Sequence, residues 1–573
     1  MHMSDALLSP GIAAATMAMS AATVGVGINR VKKDESESKL PVMATAAALV
    51  FAGQMINYSI PGTGASGHIC GGVLLSALLG PWAAFLSMTA ILMVQCFLFA
   101  DGGVLALGAN IWNMGFYGCI VGYYLFWKPI VLRRAAVSPG SAGLTTQRVC
   151  IANEHHASSA DSINLTRRII LASILACILT LQLGSISVVF ETTLSGITSL
   201  PISIFAAIMQ PIHLAIGLVE GLVTAAILTF VYKARPSMLT GDFVASPASA
   251  SDRQPHDSKN ASGPKSREDK TSRRTVLTIL ATLAAILAGF LSIFASGNPD
   301  GLEWSIEKTS QDFAEKIAGA DGYGNPSVSG LIGCVACIVV LALLAFAIKK
   351  LKLEIKNAGL RIALLIVYIA MLMTFDRYNV IGTFAFAMIA VAIFAGNKMP
   401  LRKFIYDMRH MLLIVLAAGA LNPVFDGGVS SMLTVFIKGV AVLMATYTFI
   451  NKTQIESILA SLRRIHAPKI LISLILLMYR YFHVMHDEIE NMKTAYKLRG
   501  GGKGIKPLAW GSFLGGAFLR SSDRAGDIYD AMKLRGYCGE FYYITQEKIT
   551  TLEIITAIIL VAALIALRYF GCA

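Results

Sequence analysis

An all-α, polytopic membrane protein is predicted, and three observations predict it. Of the 573 residues 55% are apolar and only 14% are charged. The mean hydropathy of +0.64 lies far above that of soluble domains. Apolar runs long enough to cross a bilayer recur along the chain without strand-like alternation, and in lipid only helices or closed barrels satisfy their backbone groups. The sequence predicts roughly 13–14 transmembrane helices together with amphipathic cytoplasmic helices.

The elements fall into blocks. Residues 1–235 carry hydrophobic segments near 8–28, 41–58, 68–80, 82–100, 105–128, 168–190 and 203–232. Residues 236–273 are Ser/Pro/Lys-rich and read as a disordered cytoplasmic linker. Residues 274–348 form a two-helix hairpin around a polar external loop. Residues 349–573 hold further spans near 361–375, 379–397, 404–421 and 428–450, and a last one at 552–568. Between these, the stretches near 453–466 and 485–535 have apolar residues at helical spacing among charges, as amphipathic cytoplasmic helices do. The nine cysteines are scattered and mostly intramembrane (Cys96, Cys119, Cys177), so no disulfide framework is indicated. Cys334 and Cys337 form a CxxC inside an apolar run, which reads as small-residue helix packing rather than a redox or zinc site.

The net charge of +14 is an orientation signal. Lys and Arg collect in alternate loops: Arg30 to Lys39, Arg133 to Arg168, Lys233 and Arg235, Lys349 to Lys356, Lys398 to Lys403, and the stretch after 452. The loops near 59–68, 101–104, 191–203, 296–327 and 376–378 carry few. By the positive-inside rule the basic loops are cytoplasmic and the N-terminus is external. Basicity spread in this way excludes nucleic-acid binding.

Chemistry concentrates at the outer face of the first block. The amine of Met1 and the backbone nitrogen and imidazole of His2 can close fused chelate rings around one ion. Three coplanar nitrogens suit Ni(II), Cu(II) or Co(II) better than oxygen-seeking Mg(II) or Ca(II). No charged n-region or cleavage site precedes the first apolar run, so the end is expected to stay unprocessed. The alternative is a chance or tag histidine. His68 closes the glycine-rich loop 60–68 and is either a fourth nitrogen ligand or an interfacial hydrogen bonder. Gln54, Asn57, Asp101, Asn110 and Asn113 lie at the same depth, either supporting ligands or joining helices. His213 and Glu220 share one helix face and either pack the bundle or line a path. Glu154-His155-His156 with Cys150 reads as a solvated loop.

The runs MHMSDALLSP, FAGQMINYSIPGTGASGH, GGVLLSALLGPWAA and FADGGVLALGANIWNMG resemble the substrate-capture component of cobalt/nickel energy-coupling factor transporters. The resemblance implies that Met1, His2 and His68 are the metal ligands. The family opening is closer to Met-His-Ile-Pro-Asp-Gly, so the turn after the chelating pair differs here. Asn298-Pro299-Asp300-Gly301-Leu302-Glu303-Trp304 resembles the PDGLE signature of the small accessory component; as residues alone it is an acidic turn. The last block resembles the transmembrane coupling component. It repeats Ala495-Tyr496-Lys497-Leu498-Arg499-Gly500 as Ala531-Met532-Lys533-Leu534-Arg535-Gly536, 36 residues later. The family motif is Ala-Arg-Gly, whose Arg docks in a groove of an ATPase subunit; Leu-Arg-Gly stands here, keeping Arg499, Gly500, Arg535 and Gly536. The resemblance implies cobalt or nickel as the cargo, feeding cobalamin or nickel-enzyme biosynthesis.

The chain contains no G-x-x-x-x-G-K-[ST], so ATP is expected only through a partner ATPase dimer at the bacterial inner membrane. Two rivals differ in what they require. A proton-driven secondary transporter needs inverted repeats rather than docking helices, and a vitamin-capturing relative needs an aromatic pocket rather than an N-terminal chelator. No acid/base or nucleophile constellation supports a membrane enzyme.

Overall fold

The computed structural model describes residues 2–33, 39–55, 58–59, 66–99, 101–131, 159–196, 202–240, 355–376, 379–421, 428–465, 467–501, 510–537, 541 and 549–570. Met1, Asn57, Cys150, the 154–156 loop, the PDGLE segment, Cys334 and Cys337 lie outside the described residues.

The first block comprises α1 (Pro10–Lys33), α2 (Lys39–Gln54), α3 (Gly72–Leu79), α4 (Pro81–Val94), α5 (Leu107–Asn110), α6 (Lys128–Val131), α7 (Ser159–Ser195) and α8 (Ile202–Ala234). A π-helical turn, Gln95–Phe99, extends α4, and a long π-helical run, Ile111–Trp127, joins α5 to α6. The expected all-α architecture has one minimal exception among the described residues. Tyr58–Ser59 and Ser66–Gly67 pair antiparallel, Tyr58 opposite Gly67, and tie off the loop that ends at His68. The core between these helices is apolar and closely packed, with Phe51, Leu75, Phe85, Met88 and Ile91 almost wholly buried.

The last block comprises α9 (Ala358–Met373), α10 (Val380–Gly396), α11 (Leu401–Leu421), α12 (Gly428–Lys452), α13 (Ile455–Arg464), α14 (Lys469–Tyr496), α15 (Trp510–Leu534) and α16 (Thr551–Phe570). Asn357 caps α9 by accepting from Gly359 N and Leu360 N, satisfying two of the amides a helix start leaves free. Between α10 and α11 the chain turns by 115°. Lys398, in the left-handed region at φ 54°, makes that bend just ahead of Pro400. Among the described residues seven helices are long and apolar enough to span a membrane, or eight if the bent pair counts as one span.

Two expectations need correction. The first five residues of the expected disordered linker, Pro236–Thr240, form a 3₁₀ turn in which Met238 and Leu239 are buried. Two large apolar side chains there give the turn a core contact that the polar residues beyond it cannot make. The amphipathic region near 485–535 also begins earlier, because α14 starts at Lys469 with Leu471, Ile472, Leu474, Ile475, Leu477 and Met478 buried.

That apolar half of α14 packs on α2 and α4, while α15 packs on α8 and α2. The crossing of α15 with α8 is close because it is built on glycines. A Cβ at Gly511 would come within 2.7 Å of the Ala226 Cβ, and one at Gly515 within 2.5 Å of the Phe230 ring. Arg235 pairs with the Asp523 carboxylate at the edge of this contact. Both long helices of the last block therefore form a platform for the first.

A further contact runs against the sequence-based topology. Leu98 and Phe99, at the end of α4 expected outside, share a cavity of about 430 Å³ with Ile450, residues 453–456 and Tyr479. Met93 to Leu98 also meets Ile455, Ile458, Leu459 and Leu462 of α13, a helix expected in the cytoplasm. Upright blocks would hold these ends apart by the roughly 30 Å of the hydrocarbon core. The end of α4 and α13 therefore meet directly, although the charge pattern expects them on opposite sides of the membrane.

Candidate metal site

The N-terminal segment enters the first block as a pinned extended strand. Met3 N donates to Asn110 Oδ1 at 2.7 Å, and Met3 O accepts from Asn110 Nδ2 at 3.1 Å and from Gly103 N at 3.0 Å. Two residues on, the buried Asp5 carboxylate accepts from Val104 N and Ala106 N, both at 3.0 Å. Those amides open the turn into α5, where unpaired N–H groups favour an anion. Burial still pushes the Asp5 pKa up to about 6, against these bonds. Close approach demands glycine at both positions after Asp101. Gly102 stands at φ +85°, its missing Cβ facing Asn110 Nδ2 and His2 Nδ1, and a Cβ on Gly103 would overlap the Asp5 carboxylate.

Pinning Met3 delivers His2 to a fixed place. Both His2 ring nitrogens are buried without a hydrogen-bond partner. Buried polar atoms are normally paired, so an imidazole with both nitrogens orphaned is placed for a ligand rather than for stability. The His68 ring lies 5.2 Å away between centroids, at an interplanar angle of 40°. An imidazole nitrogen binds a transition metal at about 2.0–2.1 Å, so two rings sharing an ion stand roughly 4.5–6 Å apart. The observed gap fits one ion. His68 Nδ1 lies 3.3 Å from Ile69 O, which leaves Nε2 as the free end.

A second network holds the His68 loop. Glu220 on α8 accepts from Cys70 N and Gly71 N, each at 2.9 Å. Gln54 Nε2 donates to Cys70 O at 2.6 Å, and Gln95 Nε2 donates to Gln54 Oε1 at 2.8 Å. Gly71 adopts φ +79°, the turn that sends the chain into α3. Behind Met3, Asn113 Nδ2 donates to Glu191 Oε2 at 2.7 Å and lies 3.9 Å from Met3 Sδ.

Electrostatics match the donor set. Burial, then the positive amino terminus, lowers the His2 pKa to about 3. Burial likewise holds His68 well below the ordinary histidine value, helped by the amino terminus and His2, with Asp101 opposing. Both imidazoles are therefore neutral, as metal binding requires. Burial raises the Asp101 carboxyl while His68 offsets it. Among the described residues no three His, Cys, Asp or Glu side chains gather at metal-binding distance. Among the described residues two imidazoles, those of His2 and His68, face each other here.

The structure thus brings together His2, His68, Asn110, Asn113, Asp101 and Gln54, with Glu220 supporting the loop. Met1 and Asn57 lie outside the described residues. His213 does not join Glu220: its Nδ1 lies 2.9 Å from Met209 O one helical turn back. Sequence reading passed over Asp5, Gln95 and Glu191. The last two carried a usable signal, since amide and carboxylate groups inside apolar runs tend to serve a site. Arg499 and Gly500 lie in the π turn Lys497–Gly501 after α14, and Arg535 and Gly536 directly follow α15; both arginines are exposed.

Comparison with known proteins places the chain in a family. The family model "Cobalt uptake substrate-specific transmembrane region" matches residues 2–238, "PDGLE domain" matches 274–325, and "Cobalt transport protein" matches 326–544. The chain is 33% identical over 241 residues to NikMN of Archaeoglobus fulgidus, named as a fused nickel transport protein, covering 42% of this chain and 68% of that one. It is 30% identical over 242 residues to the fused nickel transport protein NikMN of Rhodobacter capsulatus, covering 42% and 64%. To the cobalt transport protein CbiM of Sorangium cellulosum it is 28% identical over 244 residues, covering 42% and 94%. This chain belongs to the cobalt and nickel transport family, and it unites the substrate-specific transmembrane region, the PDGLE domain and the cobalt transport protein region in one polypeptide.

Proposed function

We propose that this protein is the membrane part of an ATP-driven importer of Co(II) or Ni(II), and that Met1, His2 and His68 capture the ion. The observation that carries this reading is His2, with two buried, unpartnered ring nitrogens 5.2 Å from the His68 ring. The Met1 amine, the His2 backbone nitrogen and the two imidazoles supply a four-nitrogen set, which suits a tetragonal transition ion. Capture releases protons from the amine and the His2 amide, while the imidazoles are already neutral. Asp101 offsets part of the ionic charge.

Work is divided along the chain: residues 1–235 capture, 274–348 form the accessory hairpin, and 349–573 couple to the ATPase. The N-terminus faces the exterior of a bacterial inner membrane, and the linker and coupling helices face the cytoplasm. The chain lacks a phosphate-binding G-x-x-x-x-G-K-[ST], so a separate ATPase dimer docks on Arg499 and Arg535. Arginine suits that role because its planar fork makes bidentate pairs with carboxylates. Hydrolysis moves α14 and α15, and the block packed on them tilts and releases the ion. The packing of α14 on α2 and α4, and of α15 on α8 and α2, supports this route.

The test is uptake of labelled nickel or cobalt with the ATPase co-expressed. His2→Ala, or one residue added before Met1, abolishes uptake; intact uptake in either variant refutes the site. Co-purification of the ATPase with the Arg499→Ala/Arg535→Ala variant refutes the docking.

A further inference from the structure

The residues that precede the two arginines carry an inference of their own, and it rests on the ATPase docking just proposed. Leu498 is 83% exposed and Leu534 is 90% exposed, the two most exposed large apolar side chains among the described residues. A single surface leucine needs no explanation. Here the same residue type stands at the same place in a repeated hexapeptide, at the ends of two different helices. Each is held out by local geometry. At the end of α15 the chain stops on Gly536 at φ +80°, with Tyr537 N bonded to Met532 O at 3.0 Å and Gly536 N to Lys533 O at 2.9 Å. This left-handed cap closes the helix beneath Leu534 and Arg535. Phe541, its ring 5.0 Å from that of Tyr537 and tilted by 42°, anchors the cap, its carbonyl accepting from Arg463 of α13 at 3.0 Å. At the end of α14 the π turn carries Lys497, Leu498 and Arg499 outward together.

We propose that Leu498 and Leu534 are paired apolar anchors, each inserting into an apolar pocket rimmed by carboxylates on the ATPase, one per ATPase subunit. The chemistry of that partner follows from the flanking charges. Lys497 and Arg499 surround one leucine and Lys533 and Arg535 the other, all exposed. An anchor that buries a leucine inside a charged ring matches the energetics of interface hot spots. Two equivalent anchors call for a partner that presents its pocket twice, as a two-fold dimer does.

The experiment measures affinity of the full, detergent-solubilised chain for the purified ATPase of the same transporter, at two salt concentrations. Burying a leucine is worth roughly 1.5–3 kcal/mol, so each Leu→Ala change is expected to weaken binding about 10- to 150-fold. Leu498→Ala/Leu534→Ala should weaken binding without altering its salt dependence, whereas Arg499→Ala/Arg535→Ala should both weaken it and flatten that dependence. Both leucines are exposed, so nickel binding by the leucine variant stays at the parent value and reports an intact fold. Leucine variants that bind within twofold of the parent, beside arginine variants that fail, overturn the anchors and leave the docking reading standing. Failure of both sets to matter overturns both. Loss of affinity for anionic vesicles, with ATPase affinity unchanged, assigns the leucines to the membrane and also overturns the proposal.

Discussion

Asn110 is not itself a proposed ligand, yet substituting it should cripple metal capture. Its side chain grips both backbone groups of Met3, accepting from N at 2.7 Å and donating to O at 3.1 Å. In Asn110→Ala, Met3 O keeps its bond from Gly103 N. Met3 N does not: it becomes a buried donor without a partner, at a cost of about 1–3 kcal/mol. The segment can recover that energy only by leaving its seat, and His2 leaves with it. Since every 1.4 kcal/mol is tenfold, affinity for nickel should fall roughly 5- to 150-fold. Competition against a coloured chelator measures this on the purified chain, with melting of the metal-free protein as the fold control. The visible absorption of bound Ni(II) separates positioning from ligation. Asn110→Ala keeps the parent spectrum at saturating metal, whereas His2→Ala changes it. Parent-like affinity in a folded Asn110→Ala protein would refute the idea that the Met3 clamp presents the chelate.

Three further predictions concern the support, the protons and the platform. Glu220→Gln should weaken nickel binding by a similar 5- to 150-fold, because a carboxamide oxygen can serve only one of the Cys70 and Gly71 amides and its NH₂ must face the other; unaltered affinity would remove Glu220 from the His68 support. Calorimetry at pH 5.5 in two buffers should find about two protons released per Ni(II), from the amine and the amide, because His2 titrates near pH 3 and His68 is lowered too; ordinary histidines at about 6.5 would bring the count to about four. The same shift sets a sign for stability: folded His2 binds fewer protons than unfolded His2 between about pH 3 and 6.5, so the metal-free seat is most stable above that window and loosens as pH falls through it. Gly511→Val should push α15 off Ala226 and abolish uptake while nickel binding and ATPase co-purification persist; uptake at the parent rate would mean that this crossing transmits no motion.

What the sequence made legible followed from how local each signal is. His2 and His68 announced themselves because imidazoles beside an amino terminus and a glycine-rich loop have distinctive chemistry. Asn110 and Gln54 were visible as polar groups inside apolar runs. Their partners were not, since Met3, Cys70 and Gly71 contribute backbone atoms, which every residue carries alike. Asp5 escaped for the same reason: its bonds go to amides of Val104 and Ala106, about a hundred residues away. The sequence leaves His213 open between packing the bundle and lining a path, and its ring turns to Met209 O of its own helix. Sharing a helix face with Glu220 said nothing about its engagement with its own helix at Met209. The apolar half of α14, Leu471 to Met478, precedes the amphipathic stretch expected at 485–535, so its packing on α2 and α4 stayed hidden.

That packing leads to the most demanding prediction. Leu98 and Gln454 line one cavity, although the charge pattern assigns their loops to opposite sides of the membrane. Either the topology is misread or the first block changes its inclination during transport. The import proposed above requires the latter. Spin labels at Leu98→Cys and Gln454→Cys distinguish the two. In the state described they should lie within roughly 20 Å, allowing for the labels' own reach. In a metal-loading state with the first block upright, the separation should grow by up to the roughly 30 Å of the hydrocarbon core. A single short distance in nucleotide-free, ATP-bound and metal-bound samples alike would exclude that motion. The ion would then have to pass through the first block itself, past Glu220, rather than being carried by it.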